Sequence, residues 1–147
     1  MRELATGEIT ALLEGSGLGV LAFDGGEHPY PIPVAFGYDP TDERLVLQLA
    51  GGDDSEKKQY LKADSRVGFT VYEETGPGEW QSVLVRGELV EIAYADAEAA
   101  FAALARNTQG VPSPMLWGGL SANSEVTPYE LRIAELSGRE YTTGSSS

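Results

Sequence analysis

The alternation of apolar and polar positions along the chain predicts a mainly β domain of the α+β class. Six segments have the apolar character and length of strands, and these are 19–23, 30–38, 44–49, 66–72, 80–92 and 127–136. Turn residues separate the first three, which predicts a hairpin extended into an antiparallel meander. The segment 80–92 is long for one strand, so we expect it to bend near Gly87.

Three other segments carry the signals of short helices. The first has Thr6 as its predicted N-cap and places Ile9, Leu12 and Leu13 on one face. The second spans about 55–63, and the third is alanine-rich and runs from a cap at Asp96 to residue 106. Many short strands with few helices favour a closed or partly closed barrel over a parallel sheet. The predicted fold is therefore a six-stranded antiparallel β-barrel with about three flanking helices.

Two segments fall outside this pattern. Residues 107–125 have no period and contain two prolines and Trp117. A long aperiodic loop with a large aromatic residue fits a lid or interface segment, and it fits a cover for the core equally well. We expect 1–141 to form one domain and 142–147 to be a disordered tail.

Composition excludes several classes of chemistry. The chain has 147 residues, enough for one core, and it contains no cysteine and a single histidine, His28. Disulfides, thiolate nucleophiles and cysteine-ligated metals are therefore excluded, and histidine-rich metal sites and serine–histidine triads are not expected. The sequence has neither a signal-peptide pattern nor an apolar run of membrane-spanning length, which predicts a cytoplasmic protein without a membrane partner.

The charge balance limits the choice of partners. The 23 acidic and 10 basic side chains give a formal net charge of -13. Nucleic acids and anionic membranes are not expected as partners, because their binding relies on lysine and arginine. Repulsion of this size is relieved when the Debye length falls to about 3 Å in 1 M salt, so we expect a salt-loving source.

The few lysines of the chain form one cluster. The only three are Lys57, Lys58 and Lys62. If Ser55 caps the second helix, Lys57 and Lys58 lie in its first turn, where the helix dipole disfavours a cation unless an anion is bound nearby. The hydroxyl, the free backbone N–H groups and the ammonium groups together resemble a phosphate cradle.

The helical spacing ranks these lysines. Lys57 shares a face with Leu61, so we predict that Lys57 lies beside the buried side and is the first phosphate ligand, with Lys58 and Lys62 on a more outward face. The alternative is that the lysines pair with acidic neighbours on a solvated helix, each pair being worth at most about 1 kcal/mol. Those neighbours are Asp53, Asp54 and Glu56.

Two prolines predict an open strand edge. Pro31 and Pro33 are two residues apart, so they remove N–H donors from the same side of one strand. A flat ring system with hydrogen-bonding groups would fit along the backbone between Val34 and Phe36. The alternative interpretation is that the prolines protect an edge strand against aggregation.

The order of these motifs resembles the pyridoxamine 5′-phosphate oxidase family over most of residues 1–95. The resemblance is carried by Tyr30-Pro31-Ile32-Pro33-Val34-Ala35-Phe36-Gly37-Tyr38-Asp39, Leu45-Val46-Leu47-Gln48-Leu49, Ser55-Glu56-Lys57-Lys58-Gln59-Tyr60-Leu61, Asp64-Ser65-Arg66-Val67-Gly68-Phe69 and Trp80-Gln81-Ser82-Val83-Leu84-Val85-Arg86-Gly87. It implies an FMN-binding split barrel, and a homodimer with two flavin sites at the subunit interface.

The resemblance also implies roles for individual residues. The flavin would be lined by Pro31, Ile32, Pro33, Val34, Ala35, Phe36, Gln48 and Leu49. Its phosphate would be held by Ser55, Lys57 and Lys58, and Ser82 would contact the ring or the ribityl chain. The implied function is that of a flavoprotein oxidoreductase acting on a small molecule, with deazaflavin or haem as alternative cofactors. The rival interpretation is a non-catalytic binding module.

The sequence departs from the family pattern at positions that matter for substrate. Members that oxidise pyridoxamine phosphate carry basic residues where this chain has Pro31, Phe36 and Glu56, and their carboxy-terminal arginine and histidine motif has no counterpart here. We therefore do not expect oxidation of pyridoxamine 5′-phosphate itself.

Overall fold

The computed structural model describes residues 1–52, 54–109 and 126–143, and it confirms the mainly β class. The strands are β1 (Arg2–Glu3), β2 (Leu18–Phe23), β3 (Tyr30–Asp39), β4 (Arg44–Ala50), β5 (Arg66–Gly76), β6 (Glu79–Glu91) and β7 (Val126–Thr142). The helices are α1 (Thr6–Gly15), α2 (Glu56–Ala63) and α3 (Ala97–Asn107), with a 3₁₀ turn at Tyr94–Asp96 before α3.

Six antiparallel strands close into a barrel. The strand order is β1-β7-β4-β3-β2-β5-β6, and a further pairing of β6 with β7 closes the ring formed by β2 to β7. The predicted meander is confirmed, since β3 pairs with β2 on one side and with β4 on the other. The prediction missed β1, a two-residue strand on β7 that is too short to show alternation.

The barrel interior is the main core. Alternate residues of the strands point inward, and the fully buried ones include Leu21, Phe36, Phe69 and Val85. Burying a side chain of this size contributes roughly 1.5–3 kcal/mol. The apolar face of α1 joins the same core, as its sequence predicts.

The start of α1 differs from the prediction. Its N-cap is Ala5 rather than Thr6, and the Glu8 carboxylate accepts a hydrogen bond from the Ala5 N–H at 3.0 Å. Glu8 also forms an ion pair with Arg2 at 2.8 Å. The N3 glutamate thus satisfies the N–H of the N-cap residue, as in one half of a capping box.

At Gly87, the predicted site of a bend in β6, the pairing with β7 is irregular, and the extra residue, Ala134, lies on β7. The register between β6 and β7 shifts between Arg86 and Gly87. A Cβ atom at Gly87 would overlap the carbonyl oxygen of Arg132, so the crossing of β7 at this point requires glycine.

The barrel is split between β3 and β4. Residues 30–35 of β3 pair with β2, whereas pairing of β3 with β4 is confined to the stretch from Phe36 to Asp39. Farther along, β4 continues from Gln48 to Ala50 with β7 as its partner. A gap therefore opens between 30–35 of β3 and 48–50 of β4.

Helix α3 is fixed to the outside of the barrel by Asn107. Its Nδ2 atom donates to the carbonyl oxygens of Leu13 and Ser16, the latter at 2.6 Å, and its Oδ1 atom accepts from the Tyr38 N–H at 3.3 Å. One side chain thereby joins the ends of α1 and α3 to β3.

A buried ion network connects the turn between β3 and β4 to β7. Arg44 Nε donates to Asp39 Oδ2 at 3.1 Å, and its Nη1 donates to Glu130 Oε2 at 2.6 Å. Glu130 also accepts from Arg132 Nε at 2.8 Å. Each charge therefore has a partner, as buried charges require.

Two predicted segments lie largely outside the description. Residues 110–125 of the aperiodic loop and residues 144–147 of the predicted tail are not among the described residues. Thr142 ends β7, and the Thr143 N–H donates to the Gly78 carbonyl oxygen at 2.8 Å. No helix in the described ranges has the length and apolar character needed to span a membrane.

Candidate functional site

The start of α2 presents a buried hydroxyl without a partner. Ser55 is the N-cap, as predicted, but its Oγ atom makes no capping hydrogen bond. That atom is buried and has no hydrogen-bond partner among the described residues, while the Ser55 N–H donates to the Gly52 carbonyl oxygen at 3.0 Å. The first bond within the helix is Gln59 N–H to Ser55 O, which leaves the amides of the first turn without intrahelical acceptors.

The structure reverses the predicted arrangement of the lysines. Lys58 is buried, with 4% of its surface exposed, and Lys57 is half-buried. Lys58 turns inward because its ammonium donates to the Gly51 carbonyl oxygen and, at 2.8 Å, to Thr127 Oγ1. The expectation that Lys58 shares an outward face with Lys62 was therefore wrong, and the cause is a pair of polar partners outside the helix.

The ammonium groups of Lys57 and Lys58 have no carboxylate partner in the described part of the chain. Burial lowers the pKa of Lys57, and the adjacent charge of Lys58 lowers it further. Pairing with Glu56 was one of the alternatives, but the Glu56 carboxylate instead accepts the Tyr60 hydroxyl at 2.6 Å. Asp53 lies outside the described residues. Two neighbouring positive charges beside amides that have no intrahelical acceptor form a region that favours an anion.

The prolines face the gap between β3 and β4. The Phe36 N–H donates to the Gly17 carbonyl oxygen at 3.0 Å, so even-numbered residues of β3 direct their backbone groups toward β2. The nitrogens of Pro31 and Pro33 consequently lie on the other edge, where β4 finds no donors. The predicted open edge is confirmed, and the prolines account for it.

The residues predicted to line a flavin divide into two groups at this gap. The side chains of Val34, Phe36 and Leu49 belong to the barrel core, so they present only backbone to the gap. The others are more accessible or face outward: Pro31 and Pro33 are exposed, Ile32 and Gln48 are half-buried, and Ala35 is buried outside the main core cluster.

Helix α2 spans the mouth of the gap. On one side, the ring of Tyr60 contacts that of Tyr30 at the start of β3, with 5.3 Å between centroids. On the other side, Lys58 bonds to Thr127, whose register partner in β4 is Leu49. The helix that carries Ser55 and the two lysines therefore borders the open edge.

Ser82 does not join this region within one chain. It lies on β6, which is separated from β3 by β5 and β2. The neighbouring core residues Val83 and Val85 point inward, so Ser82 faces outward with Trp80 and Leu84. Tyr72, the register partner of Ser82, is 67% exposed, and together these side chains form an exposed apolar patch on the barrel.

Four contributors to the site were missed by sequence reasoning. Thr127 and Gly51 bind Lys58, and Tyr30 and Tyr60 form the aromatic contact. The Gly51-Gly52 pair was visible only as a loop signal. Thr127 is 69 residues from Lys58, and no local pattern connects them.

Two cavities of about 540 Å³ lie elsewhere. One is bounded by the end of α1, the β3–β4 turn and α3, and the other lies over β2, β5 and β6. Neither is lined by a residue of α2. In the second, Arg66 and Arg86 are paired with Asp64 and Glu135. The start of α2 thus differs from both in offering lysines and a hydroxyl without carboxylate partners.

Several solved structures have a fold similar to that of this chain. The chain is similar to a FAD-binding protein from Mesorhizobium loti, with a TM-score of 0.72, 24% identity, and coverage of 96% of this chain and 98% of that one. It is also similar to a FAD binding protein from Mycobacterium smegmatis, with a TM-score of 0.71, 17% identity, and coverage of 97% and 100%. A heme binding protein from Mycobacterium smegmatis matches with a TM-score of 0.68 and 19% identity, over 97% of this chain and 59% of that one.

Identities this low establish the shared fold alone, and no curated protein matches the chain. The family model described as pyridoxamine 5′-phosphate oxidase, however, matches residues 5–140, from the start of α1 almost to the end of β7. On the strength of that match, the chain belongs to the pyridoxamine 5′-phosphate oxidase family.

Proposed function

We propose that the protein is a flavoprotein that binds FMN at the gap between β3 and β4 and acts as an oxidoreductase on a small molecule. The observation that carries the proposal is the pair of ammonium groups at the start of α2, which have no described carboxylate partner in a chain of net charge -13. In so acidic a protein, two adjacent lysines without a carboxylate partner among the described residues require an explanation. A bound phosphate supplies one.

The phosphate fits the start of α2 by its chemistry. Ser55 Oγ offers a buried hydroxyl, the first-turn amides offer donors, and Lys57 offers a half-buried ammonium without a hydrogen bond to another described residue. Desolvation already lowers the pKa of Lys57, and an anion beside it would raise that pKa again.

The ring system fits the open edge of β3. An isoalloxazine carries hydrogen-bonding atoms along its rim, and the backbone of Pro31 and Pro33 lies outside the pairing of β3 with β4. Bound FMN would supply the chemistry of accepting and passing on electrons. The chain's own residues would position the cofactor and exclude water, so acid–base side chains are not required.

A second copy of the chain would complete the site. Ser82 and its exposed neighbours Tyr72, Trp80 and Leu84 lie away from α2 of their own chain. Exposed aromatic and aliphatic residues in one patch are typical of protein interfaces. In a homodimer this patch would bring Ser82 toward the flavin of the partner, and sedimentation or light scattering would report a dimer.

Haem is a less suitable occupant than flavin. The chain has no cysteine, and His28, its only histidine, is exposed in the turn between β2 and β3. Of the usual axial ligands, cysteine is absent and the histidine lies outside β3, which leaves, among the described residues, only tyrosine at the gap, with Tyr30 and Tyr60.

The decisive experiment compares FMN with riboflavin, which lacks the phosphate. Flavin fluorescence is titrated with the protein in 1 M KCl, and we expect FMN to bind more tightly than riboflavin. Lys57→Ala should weaken FMN binding by about 1 to 3 kcal/mol and leave riboflavin binding nearly unchanged.

Lys62→Ala is the matched control, because it removes an equal charge from the exposed end of α2. Equal weakening by the two substitutions would show that only net charge matters and would contradict the assigned phosphate position. If neither flavin binds, the rival interpretation as a colourless binding module stands. If FMN binds, its reduction by a panel of electron donors, followed as the loss of flavin absorbance, tests the oxidoreductase activity.

A further inference from the structure

The ammonium of Lys58 joins three separate parts of the chain. Its side chain belongs to α2, and it donates to the carbonyl oxygen of Gly51 after β4 and to the hydroxyl of Thr127 at the start of β7. Lys58 is the one residue of α2 that is fully buried. A lysine at such a position is unusual, because burial removes water from its charge. Charge and hydrogen bonds, rather than an apolar side chain, therefore anchor the first turn of this helix.

The Gly51 carbonyl fixes the place of Ser55. Gly51 has a φ of 103°, a conformation that favours glycine, and a Cβ atom there would lie 3.0 Å from the Cβ of Ser55. The next residue, Gly52, accepts a hydrogen bond from the Ser55 N–H. Holding the Gly51 carbonyl therefore also holds the N-cap residue and its hydroxyl, which has no partner among the described residues.

From this arrangement we propose that Lys58 is a positioning residue for the phosphate site, acting through Gly51 and Thr127 rather than by touching the phosphate. The inference rests on the proposed function and changes the role that the family resemblance implies for Lys58. Both described partners of its ammonium are neutral oxygens inside the protein. Lys57 and Ser55 remain as the groups that meet the anion.

The proposal makes Thr127 part of the site although it is remote in sequence. Thr127→Val keeps the shape of the side chain and removes the acceptor, whereas Thr127→Ser keeps the acceptor. We expect Thr127→Val to weaken FMN binding about tenfold, the equivalent of one hydrogen bond at the site, and Thr127→Ser to stay within about twofold of the unsubstituted protein.

A second measurement does not depend on flavin. The chain has three lysines, so its NMR spectrum contains at most three side-chain ammonium signals. We expect the Lys58 signal to be protected from hydrogen exchange because the group is buried and bonded. The protection should be lost in Thr127→Val and kept in Thr127→Ser.

The outcomes separate the two proposals. If the unsubstituted protein binds no FMN, both fall. If it binds FMN but Thr127→Val binds equally well while the Lys58 signal loses protection, the positioning role alone is overturned. If Thr127→Val does not fold, the double variant Lys58→Met/Thr127→Val is used instead, because it replaces the ammonium and the hydroxyl of this hydrogen bond by apolar groups. That variant should fold and bind FMN about tenfold more weakly, and undiminished affinity would again overturn the positioning role.

Discussion

Replacing Asn107 with alanine would remove the three hydrogen bonds that join α1, α3 and β3. The lost bonds leave the Tyr38 N–H and the Leu13 and Ser16 carbonyl oxygens without their partner. Tyr38 and Leu13 are buried, at 8% and 1% exposure, so water cannot easily compensate. The change affects the junction of α1, α3 and β3 and not the candidate site.

The expected cost follows from these contacts. A buried polar group left without a partner costs about 1–3 kcal/mol, and the half-buried Ser16 regains some hydration. We therefore expect Asn107→Ala to lower the free energy of unfolding by about 3 kcal/mol. For a chain of this length that corresponds to a fall in melting temperature of roughly 6–12 °C.

Urea unfolding followed by tryptophan fluorescence measures this change. Gln109→Ala is the matched control, because it removes an exposed amide two residues farther on and should change stability by less than about 0.5 kcal/mol. Asn107→Asp should be at least as damaging as alanine, since its carboxylate would face two carbonyl oxygens. A loss below about 1 kcal/mol for Asn107→Ala would refute the idea that this side chain holds the junction.

Two further predictions concern charge. Burial raises the pKa of Glu130, but hydrogen bonds from Arg44 and Arg132 outweigh it and hold the pKa below its ordinary value of 4.5. The folded protein therefore gains stability from this carboxylate above that value and loses it as pH falls further, so Glu130→Gln should flatten the acid side of a stability–pH curve. A curve of unchanged shape would contradict this. The net charge of -13 predicts that the melting temperature rises between dilute buffer and 1 M KCl, and a constant or falling value in a thermal scan would require another explanation for the acidity.

Local patterns in the sequence were sufficient to predict the strands and the open edge. Pro31 and Pro33 remove donors from one side of β3, and this effect is independent of the rest of the fold. The irregular pairing at Gly87 also lies where the sequence indicated a special backbone position, because an internal glycine in a long strand often marks one. By contrast, β1 is a strand only because its two residues pair with β7, and two residues are too few to show an alternating pattern in the sequence.

Sequence reasoning predicted the N-cap of α2 and the lysine cluster beside it, but not which lysine faces the interior. Ser55 and the lysines marked the start of α2, yet helical spacing assigned the wrong lysine to the interior. The deciding contact involves Thr127, which enters from a strand formed much later in the chain. Ser82 shows a different difficulty. The family resemblance implies that it contacts the flavin, but within one chain it lies on β6, separated from β3 by two strands.

The confinement of every lysine to α2 has a practical consequence for work with this protein. Amine-reactive dyes, cross-linkers and sensor surfaces attach to lysine and to the terminal amine. Of the lysines, Lys58 is shielded by burial, which leaves Lys57 and Lys62 as the side chains within reach. Attachment through Lys57 would block the very helix start assigned to phosphate, so an immobilised sample would report no ligand even if the free protein bound it well.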